Sequence, residues 1–397
     1  MKALVIGCGI GGPATAMALR RAGIAAEVYE AYEHTADAVG SFLNIASNGL
    51  DALRVLGAHA PVLAAGIPTP RMVMWSGTGK RLGQVDNGLE LDDGTVSHTI
   101  QRGDLYAIVR DQATARGIPV RYGSRLVDLR EEPAGVTATF ADASTAHGDI
   151  LIAADGVHSA TRTLIDPAAP APRYTGLLSM GGIVDPTATR GIQVDGDPGT
   201  YHMVFGRRAF FGYTVAADAR VWWFANLPVP TEPSRAQLAG TDWQQQLVAA
   251  VRDDRNPAAD LIRAGGVDLV LPVYDLPPVP TWHTGRVVLT GDAAHATSPS
   301  SGQGASLAIE DGLVLAQCLR DLPSPAMAFG RFEHLRRARA ERVVEFSRRI
   351  SNTKTAGPIA RVFRDLMMPI FLRKAANPEA LAWLYRHHID WDTPIAA

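Results

Sequence analysis

The stretch Lys2-Ala3-Leu4-Val5-Ile6-Gly7-Cys8-Gly9-Ile10-Gly11-Gly12 decides the fold class. Its apolar run reads as a strand buried on both faces of a parallel sheet. Residues 11–22 are rich in alanine and leucine at helical spacing and stop at Gly23, a natural C-terminal helix breaker. Residues 26–29 form a second short strand closed by Glu30. Strand, glycine turn, helix and strand make a βαβ unit, the start of a Rossmann-like α/β domain.

The glycines have distinct tasks. Gly7 permits the tight turn, Gly9 lets a pyrophosphate approach the backbone, and Gly12 lets helix and strand pack closely. The helix start offers free N–H groups and partial positive charge to a phosphate. Glu30 sits where a carboxylate meets ribose hydroxyls. This unit binds a dinucleotide but leaves FAD and NAD open. A later signature, Gly291-Asp292-Ala293-Ala294-His295 with Pro299 and Gly302-Gln303-Gly304, favours FAD. Asp292 stands at a strand end, placed to hold a polyol chain. The Pro299–Gly304 loop opens a helix at Ala305, whose N-terminus stabilises negative charge on a reduced flavin. Between the two lies Asp155-Gly156-Val157-His158-Ser159-Ala160-Thr161-Arg162. It holds a phosphate-bearing ligand or anchors the neighbouring loop. Arg102 precedes a helix and is a candidate charge partner for the pyrophosphate.

Between these signatures the pattern changes twice. Residues 70–97 read as a hairpin excursion around Gly77-Thr78-Gly79. Strand-length runs at 177–184, 201–205, 210–215 and 221–227 read as an inserted antiparallel sheet. Residues 136–140 and 149–153 read as strands around an Asp142-Ala143-Ser144 turn, and Leu276–Pro280 as a linker. The expected division is a discontinuous cofactor domain (1–70, 98–175, 276–350), a substrate domain (71–97, 176–275) and a C-terminal helical segment (351–397).

The chain has 397 residues, 47% of them apolar and 20% charged, with a net charge of −2. That is an ordinary globular balance with no electrostatic footprint for nucleic acid. Two cysteines provide neither a disulfide framework nor metal spacing. No apolar run approaches the roughly 20 residues of a spanning helix, and no secretory pattern opens the chain, so a cytoplasmic protein is expected.

Together the three signatures resemble the single-component FAD-dependent aromatic hydroxylases of the p-hydroxybenzoate hydroxylase type. The family pattern is GxGxxG, then DGxxSxxR, then GDAAHxxxPxxGQG. It matches Gly7, Gly9 and Gly12; Asp155, Gly156, Ser159 and Arg162; and Gly291 through His295 with Pro299, Gly302, Gln303 and Gly304. Arg102 with Leu105, and Phe332-Glu333 with Arg336 and Arg339, extend the likeness over about residues 1–350. The resemblance is to the short members, which are expected to do without the thioredoxin-like C-terminal domain of the longer ones. The resemblance implies FAD as cofactor, NAD(P)H as reductant, and O₂ added at flavin C4a to give a hydroperoxide that oxygenates a bound aromatic substrate. It implies no protein nucleophile: Pro299 and Gly302 lie near the reactive flavin face, and His295, a candidate general base by residue type, more often supports the loop in the matched motif.

The inserted sheet is expected to roof the substrate pocket. Alternation puts Tyr201, Met203 and Phe205 on one face of their strand and Phe211 and Tyr213 on one face of the next, with Trp223 a further candidate. Such a pocket suits a planar, weakly charged ring system. Epoxidation or Baeyer–Villiger insertion uses the same oxidant. A halogenase of this fold carries WxWxIP, which Trp222-Trp223-Phe224-Ala225-Asn226-Leu227-Pro228 does not fit. A non-catalytic flavin-binding protein would keep all three signatures. The oligomeric state is not legible in the sequence.

Overall fold

The computed structural model describes residues 1–35, 37, 41–354, 357–375 and 378–396. Its first layer is a parallel sheet in the order Val287–Leu289, Ile150–Ala153, Lys2–Ile6, Ala25–Tyr29, Val120–Arg121. The two-residue period of its strands separates two cores. Ala3, Val5, Ile150 and Ile152 face the helices Gly11–Arg21 and Gly304–Asp321. Leu4, Ile6, Tyr29 and Leu151 face an antiparallel meander through Leu126, Val136 and Phe140. That alternation explains why the opening strand is apolar at every position from Ala3 to Ile6. The Rossmann-like expectation is met.

The second layer is a seven-stranded sheet ordered Leu269–Asp275, Arg173–Val184, Val221–Pro228, Phe210–Val215, Thr200–Phe205, Arg71–Ser76, Arg81–Asp86. The hairpin at 71–86 joins it through a parallel pairing, Tyr201 opposite Met72 and Met203 opposite Met74. Helices Trp243–Val251 and Ala258–Gly265 cover one face, packing Leu247, Leu261 and Ile262 against Val204, Phe211 and Trp223. The other face meets the short strand Phe42–Ile45, whose Phe42 ring contacts Trp222 and Phe224.

Some local expectations give way. The Asp142 turn joins Gly135–Phe140 to Thr145–Gly148, not to the strand Ile150–Ala153, which leaves for the parallel sheet. The five-residue run 149–153 therefore contains the end of one connection and the start of a different sheet. A helix at Ala258–Gly265 and a strand at Leu269–Asp275 add to the expected elements. The Pro-rich connection is pinned rather than free: Arg337 donates to the carbonyls of Val279 and Pro280. Two long helices, Pro325–Thr353 and Pro358–Ala375, then return across the molecule. The second carries Pro369 inside it. No described helix is long and apolar enough to cross a membrane.

Candidate cofactor and substrate cleft

All three signatures converge on one cleft. Gly7 has φ +104°, and a Cβ there would lie 2.4 Å from the Ala154 carbonyl oxygen. A Cβ on Gly12 would lie 1.9 Å from the oxygen of Gly7, so no larger residue fits unless the backbone moves. Gly9 is the converse case: its Cβ would meet nothing within 4 Å, leaving its backbone open toward the cleft. The turn is therefore tight beneath and open above, as a pyrophosphate cradle requires. Glu30 accepts hydrogen bonds from the backbone N–H of Cys8, at 2.8 Å, and of Tyr32, at 3.0 Å. It ties the cradle to the end of the second strand. Cys8 is a packed thiol: burial, assisted by the nearby Glu30 charge, pushes its pKa up to about 12.

The helix Gly304–Asp321 crosses the first helix closely. A Cβ on Gly11 would sit 3.2 Å from Cβ of Ala308, and one on Gly312 would clash with Thr15. The starts of both helices thus open on the same cleft. Gly302 adopts the left-handed conformation, φ +64°, and closes the short Pro299–Ser301 turn beside Asn44. Asp292 is solvent-exposed yet crowded by protein. Burial raises its pKa, with the charges of His295 and Arg102 opposing the rise. A reachable but hemmed-in carboxylate marks the floor of a concavity. Arg102 is exposed at its rim and bonds Tyr106.

The second signature is a brace. Ser159 caps the helix Ala160–Ile165 by accepting from the N–H of Arg162. Asp155 accepts from the N–H and hydroxyl of Thr161 at 3.0 and 2.9 Å. Buried Arg162 then donates to the carbonyls of Ala293, at 3.0 Å, and Val157, at 2.8 Å. Of the two readings of this motif, loop anchoring is what Arg162 does. Gly156, φ +78° with open space beside it, is the member that faces the cleft.

Behind the third signature lies a buried charge network that the sequence had shown only as scattered residues. Asp311 accepts from the N–H of Gly291 at 2.9 Å and bonds His295 Nε2 at 2.6 Å. Arg336 bridges Asp311 and Glu310, each at 2.7 Å, and Arg339 holds Glu310 from the other side at 2.9 Å. Burial opposes ionisation of both acids. Arg336 and Arg339 outweigh it at Glu310 and hold it near about 2; His295 and Arg336 keep Asp311 well below the usual carboxylate range. His295 is thereby committed to supporting the turn. Gln303 is fully buried, its side-chain oxygen accepting from the Asn48 amide at 3.0 Å.

On the sheet, the pairing of Phe205 with Phe210 corrects the expected substrate face. Directly paired residues share a face. Phe210 therefore joins Tyr201, Met203 and Phe205, whereas Phe211, Tyr213 and Trp223 turn away into the core under the two helices. Trp223 is wholly buried and stacks on Phe211. Tyr213 stacks on His202, which Trp75 binds from behind. The cleft face carries Phe210, Trp222 and Phe224 in their place. Phe224 touches the rings of Phe210, Tyr201 and Phe42 at centroid distances of 5.9, 6.5 and 6.0 Å. Phe42 stands on the strand Phe42–Ile45, whose Asn44 also abuts Gly302. One short strand thus links the third-signature loop to the aromatic face.

Comparison with known proteins gives this arrangement a family. The sequence pattern of the FAD binding domain family matches residues 1–347. The chain is 30% identical over 358 residues to an aurachin C monooxygenase/isomerase of Stigmatella aurantiaca, covering 88% of each protein. It is 30% identical over 346 residues to an FAD-dependent urate hydroxylase of Klebsiella pneumoniae, covering 84% of this chain and 85% of that one. The structure of Klebsiella pneumoniae HpxO complexed with FAD and uric acid superposes with a TM-score of 0.83 at 26% identity, over 95% of this chain and 96% of that one. The chain belongs to the FAD binding domain family, with FAD as its cofactor, and its relatives are FAD-dependent monooxygenases.

Proposed function

We propose that this flavoprotein is an NAD(P)H- and O₂-dependent monooxygenase that hydroxylates an aromatic or polycyclic small molecule held between the third-signature loop and the aromatic face of the seven-stranded sheet. The observation that carries this reading is the link through Phe42 and Asn44: the strand touching Gly302 is also the strand touching Phe224 and Trp222.

The residues of the cleft fit an FAD. The Gly7–Gly12 turn would take the pyrophosphate, Glu30 the adenosine ribose, Asp292 the polyol chain, and Pro299, Gly302 and Gly304 the flavin edge. Arg102 and the open backbone at Gly156 lie at the margin of the same cleft. When bound, FAD supplies the redox chemistry, taking electrons from NAD(P)H and activating O₂ for transfer of one oxygen atom to the ring. The protein's part is position and dryness. The N-terminus of Gly304–Asp321 would offer N–H groups and positive potential to a flavin held there, favouring the extra negative charge of its reduced form. The Glu310–Asp311–Arg336 network fixes the Gly291–His295 turn, so those donors need no reorganisation during turnover. Tyr201, Phe210, Trp222 and Phe224 present an apolar roof that stacks on a planar substrate and excludes water. No side chain is required as a nucleophile. Residues 1–70, 98–175 and 276–350 carry the cofactor and 71–97 with 176–275 the roof.

The test is the visible spectrum of the purified protein before and after anaerobic NADH or NADPH, then on readmitting air. The reading expects a bound flavin that bleaches and recovers, with faster bleaching when an aromatic substrate is present and isotopic O₂ label in the product. A flavin that never bleaches with any aromatic compound supports the non-catalytic reading. A protein that cannot be loaded with FAD refutes the cofactor assignment.

A further inference from the structure

Lysine is scarce here, and one of four sits where the cofactor loop meets the substrate face. Lys354 ends the helix Pro325–Thr353. Two residues in the last turns of that helix, Ser347 and Ser351, clasp the third-signature loop. Ser347 donates to the carbonyl of Ser298 at 2.7 Å, and Ser351 bonds the hydroxyls of Ser298 and Ser300, each at 2.7 Å. Those contacts carry the lysine over the aromatic face. Its Nζ lies 4.5 Å from the ring centroid of Phe210 and 5.9 Å from that of Phe224, and donates to Asn226 Oδ1 at 3.0 Å. Asn226, Phe224 and Trp222 alternate along one strand on one face.

The surroundings of this ammonium are unusual for a cation. Among the described residues no carboxylate lies within ion-pairing distance of it. Among the described side chains of the helix Pro358–Ala375, the charged ones are engaged elsewhere. Arg364 stacks on Phe205 and pairs with Asp365 at 2.8 Å, and Asp365 also accepts from Ser76. Arg361 donates to the carbonyl of Arg207. From the loop side the neighbours are neutral serines. Burial, with no compensating anion, brings the Lys354 pKa down to about 7. Yet the residue is not sealed off: part of it remains accessible, as at the wall of a cleft. A structural lysine would be paired or would extend to bulk water.

We propose that Lys354 and Asn226 form the polar anchor of the substrate site, binding an anionic oxygen, a carboxylate or phenolate, carried by the aromatic substrate whose ring lies against Phe210 and Phe224. The ammonium supplies the charge, and the Asn226 amide nitrogen supplies neutral donors beside it. The aromatic ring faces hold the cation in place when no ligand is present. An entering anion replaces the missing counter-charge, so binding is strengthened by relief of an existing electrostatic cost. This inference rests on the aromatic face being the roof of the substrate site.

The experiment uses the FAD-loaded protein and three matched acid and amide pairs: benzoate and benzamide, 2-naphthoate and 2-naphthamide, and quinoline-4-carboxylate with its amide. Binding is followed by perturbation of the flavin spectrum and by calorimetry at roughly pH 6, where Lys354 is charged. At least one acid is expected to bind about tenfold or more tightly than its amide. In Lys354→Met that preference falls to about twofold or less while the amide affinity holds, and Lys354→Arg keeps part of it. A second readout does not depend on the variant's folding. Reductive ¹³C-methylation gives one NMR signal for each of the four lysines. The saturating acid is expected to raise the titration midpoint of the Lys354 signal by about one pH unit or more. An acid preference that survives in Lys354→Met, no acid preference in any pair, or a Lys354 signal unmoved by a bound acid overturns the proposal. A flavin that bleaches normally alongside any of those results leaves the monooxygenase reading intact. A flavin that does not respond to NAD(P)H removes that reading, and this inference with it.

Discussion

Replacing Arg336 by methionine probes the buried network behind the cofactor turn. Arg336 is about 1% exposed and donates to two carboxylates, Glu310 and Asp311, both fully buried and both at 2.7 Å. Methionine fills much of the volume but withdraws the charge. Glu310 then keeps Arg339, and Asp311 keeps His295 and the N–H of Gly291. Breaking one side of a buried ion pair costs about 3–5 kcal/mol, because a charge is left without compensation. The surviving partners place this case toward the lower end, about 3 kcal/mol. Urea unfolding of the apoprotein at pH 7, with the slope compared between variants, measures it. The pH dependence supplies a second arm. Glu310 and Asp311 have folded pKa values below their unfolded ones, near about 2 for Glu310. Their stabilisation is therefore present above about pH 4.5 and fades as pH falls toward the folded values. In Arg336→Met the carboxylates rise toward ordinary values, so the gap between wild type and variant narrows below about pH 4. FAD affinity should fall too, since Asp311 holds the Gly291 amide. A loss under about 1 kcal/mol at pH 7, or a gap that widens in acid, would refute the reasoning.

Three further outcomes are expected. Gly12→Ala puts a Cβ against the Gly7 carbonyl, so the purified protein should be colourless, with FAD affinity down at least about 100-fold by fluorescence titration. Trp223→Ala and Phe224→Ala are neighbours in sequence on opposite faces. The first should cost about 3–5 kcal/mol of stability, and the second should mainly raise KM for the aromatic substrate; equal effects on both quantities would contradict the face assignment. Lys354→Met should stabilise the apoprotein, by on the order of 2 kcal/mol at pH 7. The folded pKa lies below the unfolded one, so the unfolded chain binds more protons between about pH 7 and 10. Wild-type stability should climb across that window relative to the variant, which thermal melts at several pH values will show.

What could be read from the sequence alone was local. The Gly7–Gly12 turn, the Asp155-Gly156 corner and the Pro299–Gly304 loop depend on backbone sterics within a few residues, and glycine spacing records such constraints directly. The parallel start and the inserted sheet were legible for the same reason, since burial on one or both faces writes its own period. The roof proposed for the substrate site was only half legible. Tyr201, Met203 and Phe205 fall on the cleft face, but the choice among 210, 211, 213 and 223 depends on register. Register is set by the length of the 206–209 turn and by pairing with residues 71–76, more than a hundred positions earlier, and a one-residue slip exchanges the faces. The Glu310–Arg336 network and Lys354 were invisible as such, although every residue could be seen in the chain. A charge takes its meaning from its surroundings: Arg336 is compensated and Lys354 is not. Only the tertiary structure brings those surroundings together, because ion pairing and desolvation act over a few ångströms of space regardless of separation along the chain.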